Sequence, residues 1–306
     1  HLSGLRAMGA EVTVLEEEGM VVARAPKGGR LFGADIRLGF PSVGATETLL
    51  MAAVTADGAT TIENAAQEPE IVDLARLLRS CGARIAGEGT ARIEVEGVTK
   101  LSAQGTFTAI PDRIEAGTFL CAAAAVPGSV IEVWPVVPAH LAPATERLRA
   151  MGCDIRAVAQ DRLVLRSPDA SPLRAVDITT KPFPGFPTDL QAPFAAVLAS
   201  AQGRSVVTET VFEGRFRYAE GLRRLGADVR LLDDHDPCAL AVRGVDRLRG
   251  AHVRGTDLRA GAAFVVAALS ADGSSTVGGL EHVDRGYELF DEKLQSLGAR
   301  LVRIPC

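Results

Sequence analysis

The chain reads as an α/β (α+β) protein of repeated αβ subdomains arranged around buried helices. Three observations predict this. A unit consisting of an amphipathic helix, a glycine and a strand returns five times in 306 residues. A second kind of helix, almost free of charge, returns four times between those units. Short strands of alternating polarity, such as Arg92-Ile93-Glu94-Val95, follow the helices and suit a sheet with one wet face.

The first unit appears as LRAMGAEVTV (5–14), LLRSCGARIAG (77–87), LRAMGCDIRAV (148–158), LRRLGADVRLL (222–232) and LQSLGARLVRI (294–304). Its glycines, Gly9, Gly82, Gly152, Gly226 and Gly298, lie about 70 to 74 residues apart. Each is expected to stop its helix in the left-handed conformation, with a strand directly after it. In the helix over 71–81, Ile71, Leu74, Leu78 and Cys81 share one stripe, while Asp73, Arg76 and Arg79 lie outside it. That pattern predicts a surface helix with one buried face.

The second helix type opens 44–65, 115–133, 188–207 and 256–277. In the last of these, Thr256 is the expected cap and no residue from Ala260 to Leu269 is charged. A helix apolar on every side is expected to be buried on every side, so its polar start is the one place on it for chemistry. A break at Ile110-Pro111-Asp112-Arg113, where Pro111 is expected to end a strand, sets the predicted domains at 1–111 and 112–306. The run from Lys181 to Pro187 holds three prolines and admits neither helix nor central strand.

Composition narrows the function. Net charge is −5 and aromatic residues make up 5%, which argues against a nucleic-acid partner. The longest apolar runs, Phe119 to Val126 and Ala260 to Leu269, fall short of the ~20 residues a membrane helix needs, so no membrane partner is expected. Cys81, Cys121, Cys153, Cys238 and Cys306 form no CxxC pair, and the five histidines, His235 among them, are equally scattered, so no metal signature appears. Isolated thiols suit a reducing cytoplasm. The chain opens on His1 without a methionine, with Leu2, Leu5 and Met8 already at helical spacing, and reads as a piece of a longer protein.

Three motifs offer chemistry. Pro41-Ser42-Val43-Gly44-Ala45-Thr46-Glu47 places small residues before a helix start, where backbone N–H groups and the Ser42 hydroxyl can hold a phosphate, although an ordinary cap looks the same. In Thr188-Asp189-Leu190-Gln191, Thr188 is a credible cap and Asp189 a first-turn acid whose ionised form the helix dipole favours. Such a carboxylate can take a proton from a substrate hydroxyl, and it can equally be no more than a stabilising acid. Arg215, Arg259 and Arg285 stand near helix starts at matching points of the repeat. Three such guanidiniums suit a small polyanion, and each alone also suits a solvated surface.

The strings PSVGATE, ENAAQEPEIVDLA, PDRIEAGTF, FPTDLQA, TETVFEGRF, TDLRAG and HVDRGYE, in this order, closely resemble the UDP-N-acetylglucosamine enolpyruvyl transferases (1-carboxyvinyltransferases). The resemblance runs from His1 to the last expected strand. It implies an inside-out α/β barrel of two domains, each of αβ subdomains around buried helices. It implies transfer of the enolpyruvyl group of phosphoenolpyruvate to the 3′-hydroxyl of UDP-N-acetylglucosamine with release of phosphate, in peptidoglycan synthesis, with no metal or organic cofactor. By motif, Asp189 would be the base near the sugar hydroxyl. Val211 would hold the sugar by its backbone. Ser42, Val43 and Gly44 would meet the diphosphate, and His1 would close the uridine segment. Arg215, Arg259 and Arg285 would bind phosphoenolpyruvate, with Asp257 orienting Arg259 and Arg285 acting in catalysis.

Members of this family extend further at the N-terminus, where a mobile loop carries a cysteine or aspartate general acid. None of the five cysteines here stands in that context, so the expectation is a chain inactive by itself. The rival readings are a transferase acting on shikimate 3-phosphate, which shares the fold and chemistry, and a non-catalytic binding module of the same fold.

Overall fold

The computed structural model describes residues 1–233 and 238–304; His235 and Cys306 lie outside the described residues. The chain divides into two compact units, His1–Ile110 with Pro182–Pro184, and Pro111–Lys181 with Gly185 onward.

In the first unit, α1 (Leu2–Ala7) leads to the hairpin of β1 (Glu11–Leu15) and β2 (Met20–Arg24). There follow β3 (Asp35–Arg37), α2 (Val43–Ala53), β4 (Ala59–Glu63), α3 (Pro69–Ser80), β5 (Arg84–Ala86) and β6 (Arg92–Glu96). The sheet order is β3-β4-β6-β5; the β3/β4 pair is parallel and the other two are antiparallel. Ile93 and Val95 point into the core and Arg92, Glu94 and Glu96 out of it, as the alternation predicts. Ile71 and Ala75 are the buried centre of α3, with Leu74 and Leu78 packed at its margins.

The second unit runs α4 (Arg113–Ala125), β7 (Val130–Val133), α5 (Ala142–Met151), β8 (Asp154–Ala159), β9 (Arg162–Arg166) and β10 (Ile178–Thr179). It continues with α6 (Gln191–Leu198), β11 (Arg204–Thr208), α7 (Ala219–Arg224), β12 (Asp228–Leu231), β13 (Ala239–Arg243) and β14 (His252–Arg254). Last come α8 (Leu258–Leu269), β15 (Thr276–Gly278), α9 (Leu280–Val283) and α10 (Phe290–Ser296). Helices α4, α6 and α8 pack on one another. Sheets β7-β9-β8, β10-β11-β13-β12 and β14-β15 belong to the same unit. Every residue of α6 is buried, and so is every residue of α4 from Ala116 to Ala125. Small residues permit this closeness: a Cβ on Gly261 of α8 would stand 2.5 Å from Val283 Cγ2.

The repeat is visible as geometry. All five unit glycines have positive φ, from +86° to +118°. The order parallel, antiparallel, antiparallel in β3-β4-β6-β5 recurs in β10-β11-β13-β12. A further feature recurs that the periodicity did not suggest. The side chain three residues before each glycine donates to the carbonyl three residues after it: Arg6 to Val12 (3.1 Å), Arg79 to Ile85 (3.0 Å), Arg149 to Ile155 (3.0 Å), Arg223 to Val229 (2.9 Å) and Gln295 to Leu301 (2.8 Å). Arg79 is therefore not a free surface charge. It ties helix to strand and also pairs with Glu88, whose carboxyl it holds below the usual range against the opposing pull of burial.

Several expectations need correction. Asp257, not Thr256, caps α8: its carboxylate accepts the N–H groups of Arg259 (2.9 Å) and Ala260 (3.0 Å), a stronger acceptor than a hydroxyl. Helix α2 is buried on one face only, with Met51 half exposed, because the first unit holds no second helix of that kind to cover the other face. No strand precedes Pro111, and none forms over 299–304. In the other repeats the strand after the glycine pairs with the strand that follows it, and no such following strand exists among the described residues.

Arg149→Met should remove one clamp and lower the unfolding free energy by about 1–3 kcal/mol, the range for a hydrogen bond from a charged donor. Urea denaturation would measure it; an unchanged midpoint would mean that the clamp is incidental.

Candidate active site

The densest polar arrangement in the second unit stands at the ends of its buried helices. Pro187 leads into a 3-10 turn, Thr188–Leu190, that runs directly into α6. Asp189 in that turn presents one oxygen, Oδ1, to two guanidiniums: Arg215 Nη2 at 2.5 Å and Arg259 Nε at 3.0 Å. Arg215 comes from the turn between β11 and α7, and its guanidinium also lies 4.9 Å over the Phe212 ring. Arg259 comes from the first turn of α8. Both arginine side chains are largely buried, at 16% and 17% exposure, while Asp189 keeps 37%. The carboxylate is thus the accessible member of the trio.

Arg259 is held from behind. Its Nη1 donates to the Tyr287 hydroxyl at 3.1 Å, and that hydroxyl lies 2.9 Å from Thr118 Oγ1. The Thr118 hydroxyl donates to the Ile114 carbonyl. A hydroxyl has one hydrogen, so Tyr287 must donate to Thr118 and accept from Arg259. Burial pushes the Tyr287 phenol up, against the opposing effect of Arg259.

Burial also raises the Asp189 carboxyl, but Arg259 and then Arg215 outweigh it and hold the group below the usual range. The Arg259 guanidinium responds in kind: burial disfavours its charge, yet Asp189 and Tyr287 push it above its ordinary value. Two neighbouring cations therefore favour the ionised form of Asp189.

Behind this trio lies a second carboxylate that the residue pattern did not single out. Glu209, buried at the end of β11, accepts five hydrogen bonds. Thr180 Oγ1 (2.7 Å) and the backbone N–H groups of Val211 (2.8 Å) and Phe212 (3.0 Å) reach Oε1. Thr188 Oγ1 (2.8 Å) and Gln191 Nε2 (3.0 Å) reach Oε2. Thr188 is no helix cap, because it lies inside the 3-10 turn, whose cap position is Pro187; its hydroxyl donates to Glu209.

The remaining candidates fall as follows. Val211 gives its N–H to Glu209, which leaves its carbonyl for a ligand. Asp257 meets Arg259 at the backbone and not at the guanidinium. Arg285, in the turn between α9 and α10, is exposed and has no hydrogen bond or ion pair among the described residues; the fold ties its segment to Arg259 through Tyr287, two residues on. In the first unit, Ser42 caps α2, with Oγ accepting from Ala45 N–H at 3.3 Å. The amides of Val43 and Gly44 open that helix, where no intrahelical acceptor exists. The His1 ring stands over Gly44, and a Cβ there would lie 3.1 Å from its Nε2. Those four residues form one group. Tyr287, Glu209, Thr118 and Gln191 all lie inside motifs quoted above, but an aromatic, an acid or a threonine in a short string does not announce burial.

Residues 1–294 match the family model for EPSP synthase (3-phosphoshikimate 1-carboxyvinyltransferase). The UDP-N-acetylglucosamine 1-carboxyvinyltransferase of Synechocystis sp. is 53% identical over 306 residues, covering 99% of this chain and 67% of that protein. The chain belongs to the UDP-N-acetylglucosamine 1-carboxyvinyltransferase family. A Carboxydothermus hydrogenoformans protein of that name is 50% identical, with 70% of its length covered. The chain spans about two thirds of the length of these curated relatives. Among solved structures, the enolpyruvyl transferase NikO from Streptomyces tendae superposes with a TM-score of 0.84 at 29% identity, over 98% of this chain and 71% of that one. EPSP synthase from Acinetobacter baumannii, at 0.68 and 23%, shares the fold. The enolpyruvyl-transferase fold implied by the resemblance, with which the repeat of αβ units agrees, is thus the observed one, although among the described residues no sheet closes into a barrel.

Arg259→Met should let the Asp189 carboxyl titrate at higher pH, read by carbon-13 NMR of the aspartate side chains. A depressed native pKa stabilises the fold above the ordinary carboxylate range, and that stability is lost as pH falls through the depressed value. In the variant this contribution should be smaller and its loss complete at a higher pH; an unmoved titration would show that Arg259 does not set the charge of Asp189.

Proposed function

We propose that the protein transfers the enolpyruvyl group of phosphoenolpyruvate to the 3′-hydroxyl of UDP-N-acetylglucosamine, releasing phosphate, in bacterial peptidoglycan synthesis. The observation that carries this reading is the shared Oδ1 of Asp189 between Arg215 and Arg259, in a chain about half identical to curated enzymes of that name. Two guanidiniums gathered on one small, partly accessible carboxylate suit recognition of a compact polyanion.

The chemistry follows from the electrostatics. While both arginines face Asp189, its carboxyl is a weak base. The phosphate and carboxylate of phosphoenolpyruvate compete for the same cations, with Arg285 as a third. As the anion draws charge away from Asp189, the carboxylate becomes more basic, and Oδ2, which neither arginine occupies, faces the sugar hydroxyl. Proton transfer to Asp189 then accompanies attack of that oxygen on the phosphate-bearing carbon, while the double-bond electron pair takes a proton at the methylene carbon from the general acid that the resemblance implies in the N-terminal loop; loss of a proton from the resulting methyl group then restores the double bond and expels phosphate. The tetrahedral adduct keeps its charged groups on Arg215, Arg259 and Arg285, preorganised cations of the kind that supply the largest share of stabilisation. The Val211 carbonyl would position the sugar. Ser42, Val43 and Gly44 would take the diphosphate at the start of α2, with His1 beside them. The unpaired Cys81, Cys121, Cys153 and Cys238 fit work in a reducing cytoplasm.

In the full-length protein, Asp189→Ala and Arg285→Ala should each lower phosphate release by roughly 10²-fold or more. Undiminished release in both would overturn the assignment and favour a non-catalytic binding module. Calorimetry should detect binding of UDP-N-acetylglucosamine and none of shikimate 3-phosphate; the reverse result would favour the shikimate enzyme.

A further inference from the structure

Among the described residues, Glu209 is the one buried carboxylate whose partners all come from segments that bear candidate site residues or lie against them. It receives Thr188, which adjoins Asp189, and Gln191 at the start of α6. It receives the N–H groups of Val211 and Phe212, which open the turn that carries Arg215. Thr180, the fifth donor, accepts the Thr210 N–H at its own Oγ1 (2.9 Å) and the Thr210 hydroxyl at its carbonyl (2.6 Å), so the start of that turn is tied to Thr180 as well as to Glu209. No lysine or arginine pairs with Glu209 among the described residues, so its partners are dipoles and not a counter-ion. A buried acid of this kind does not stabilise through charge pairing. It serves as a fixed five-point anchor, because only an acceptor-only group with two oxygens can satisfy so many donors at once.

We infer that Glu209 is a positioning residue: it locks the Thr188-Asp189 turn to the Val211–Arg215 turn, so that the Asp189 carboxylate and the Val211 carbonyl meet the acceptor sugar in a set geometry. This inference rests on the reading of the site given above. Methionine is the informative replacement. A glutamine re-forms the network, because its NH₂ group meets Thr188, whose hydroxyl can turn to accept, and Gln191, whose amide can flip to present Oε1. Methionine keeps the length of the side chain and removes both carboxylate oxygens, so all five donors lose their acceptor. Misplacement of about 1 Å at a reacting group is enough to cost roughly 10²-fold in rate.

The test uses the full-length protein. Glu209→Met should lower kcat/KM for the UDP-sugar by roughly 30- to 100-fold, well below its melting temperature, and its loss should be non-additive with that of Asp189→Asn. Thr188→Val, which removes one donor and spares the carboxylate, should give a smaller loss of the same kind. Ser167→Ala breaks a buried bond to the Ala124 carbonyl elsewhere in this unit and serves as the control, expected to lower stability without changing kcat/KM. Amide exchange should quicken in peptides covering both 186–192 and 208–216 of Glu209→Met, and not in those covering 69–80. Stability lost with kcat/KM kept within about twofold would overturn the inference, as would additive losses. Should the unaltered protein not carry out the transfer, the proposed function fails, while the exchange experiment still decides whether Glu209 holds the two turns; unchanged exchange at both refutes it.

Discussion

Three helices with no charge past their first turn must be buried along their length, and this constraint shapes the second unit. Helices α4, α6 and α8 pack through small residues and carry charge only where they begin. Asp112 caps α4 and Asp257 caps α8, each accepting two backbone N–H groups, while the Asp189 turn precedes α6. Chemistry collects at these starts because the helices admit it nowhere else.

The same logic explains why so much of the fold was legible and where legibility ended. Helix-stopping glycines with their strands, and the two helix types, follow from local rules, and all five glycines adopt the left-handed conformation. Asp189, Arg215 and Arg259 were legible as candidates, and the structure brings them together from positions far apart in the chain. Glu209 was not legible, since an acid in TETVFEGRF looks like any solvated acid until five donors converge on it. Nor was the single-faced burial of α2, which depends on how many like helices surround it. The missing strand over 299–304 teaches the same lesson: a strand needs a partner, and β-branched residues alone do not supply one.

One carboxylate oxygen satisfying two guanidiniums has an electrostatic consequence. The arginines are held at the spacing an anion needs without leaving two like charges uncompensated in a partly buried site. On the proposed function, Asp189 is an internal stand-in for the ligand, and its displacement would couple anion binding to its own basicity. The strength of the base would then be conditional, low in the resting site and higher once the anion is in place.

The polarity of the hydroxyl file behind Arg259 carries a last implication. From Arg259 through Tyr287 and Thr118, each group passes its hydrogen one way, and the file ends on the Ile114 carbonyl. A carbonyl already serving as a terminus has no hydrogen to send back, and Arg259 at the other end does not surrender its own at neutral pH. The file is therefore a brace and not a wire. Any proton that Asp189 collects has no exit through the protein interior along this route and must leave on the side open to water.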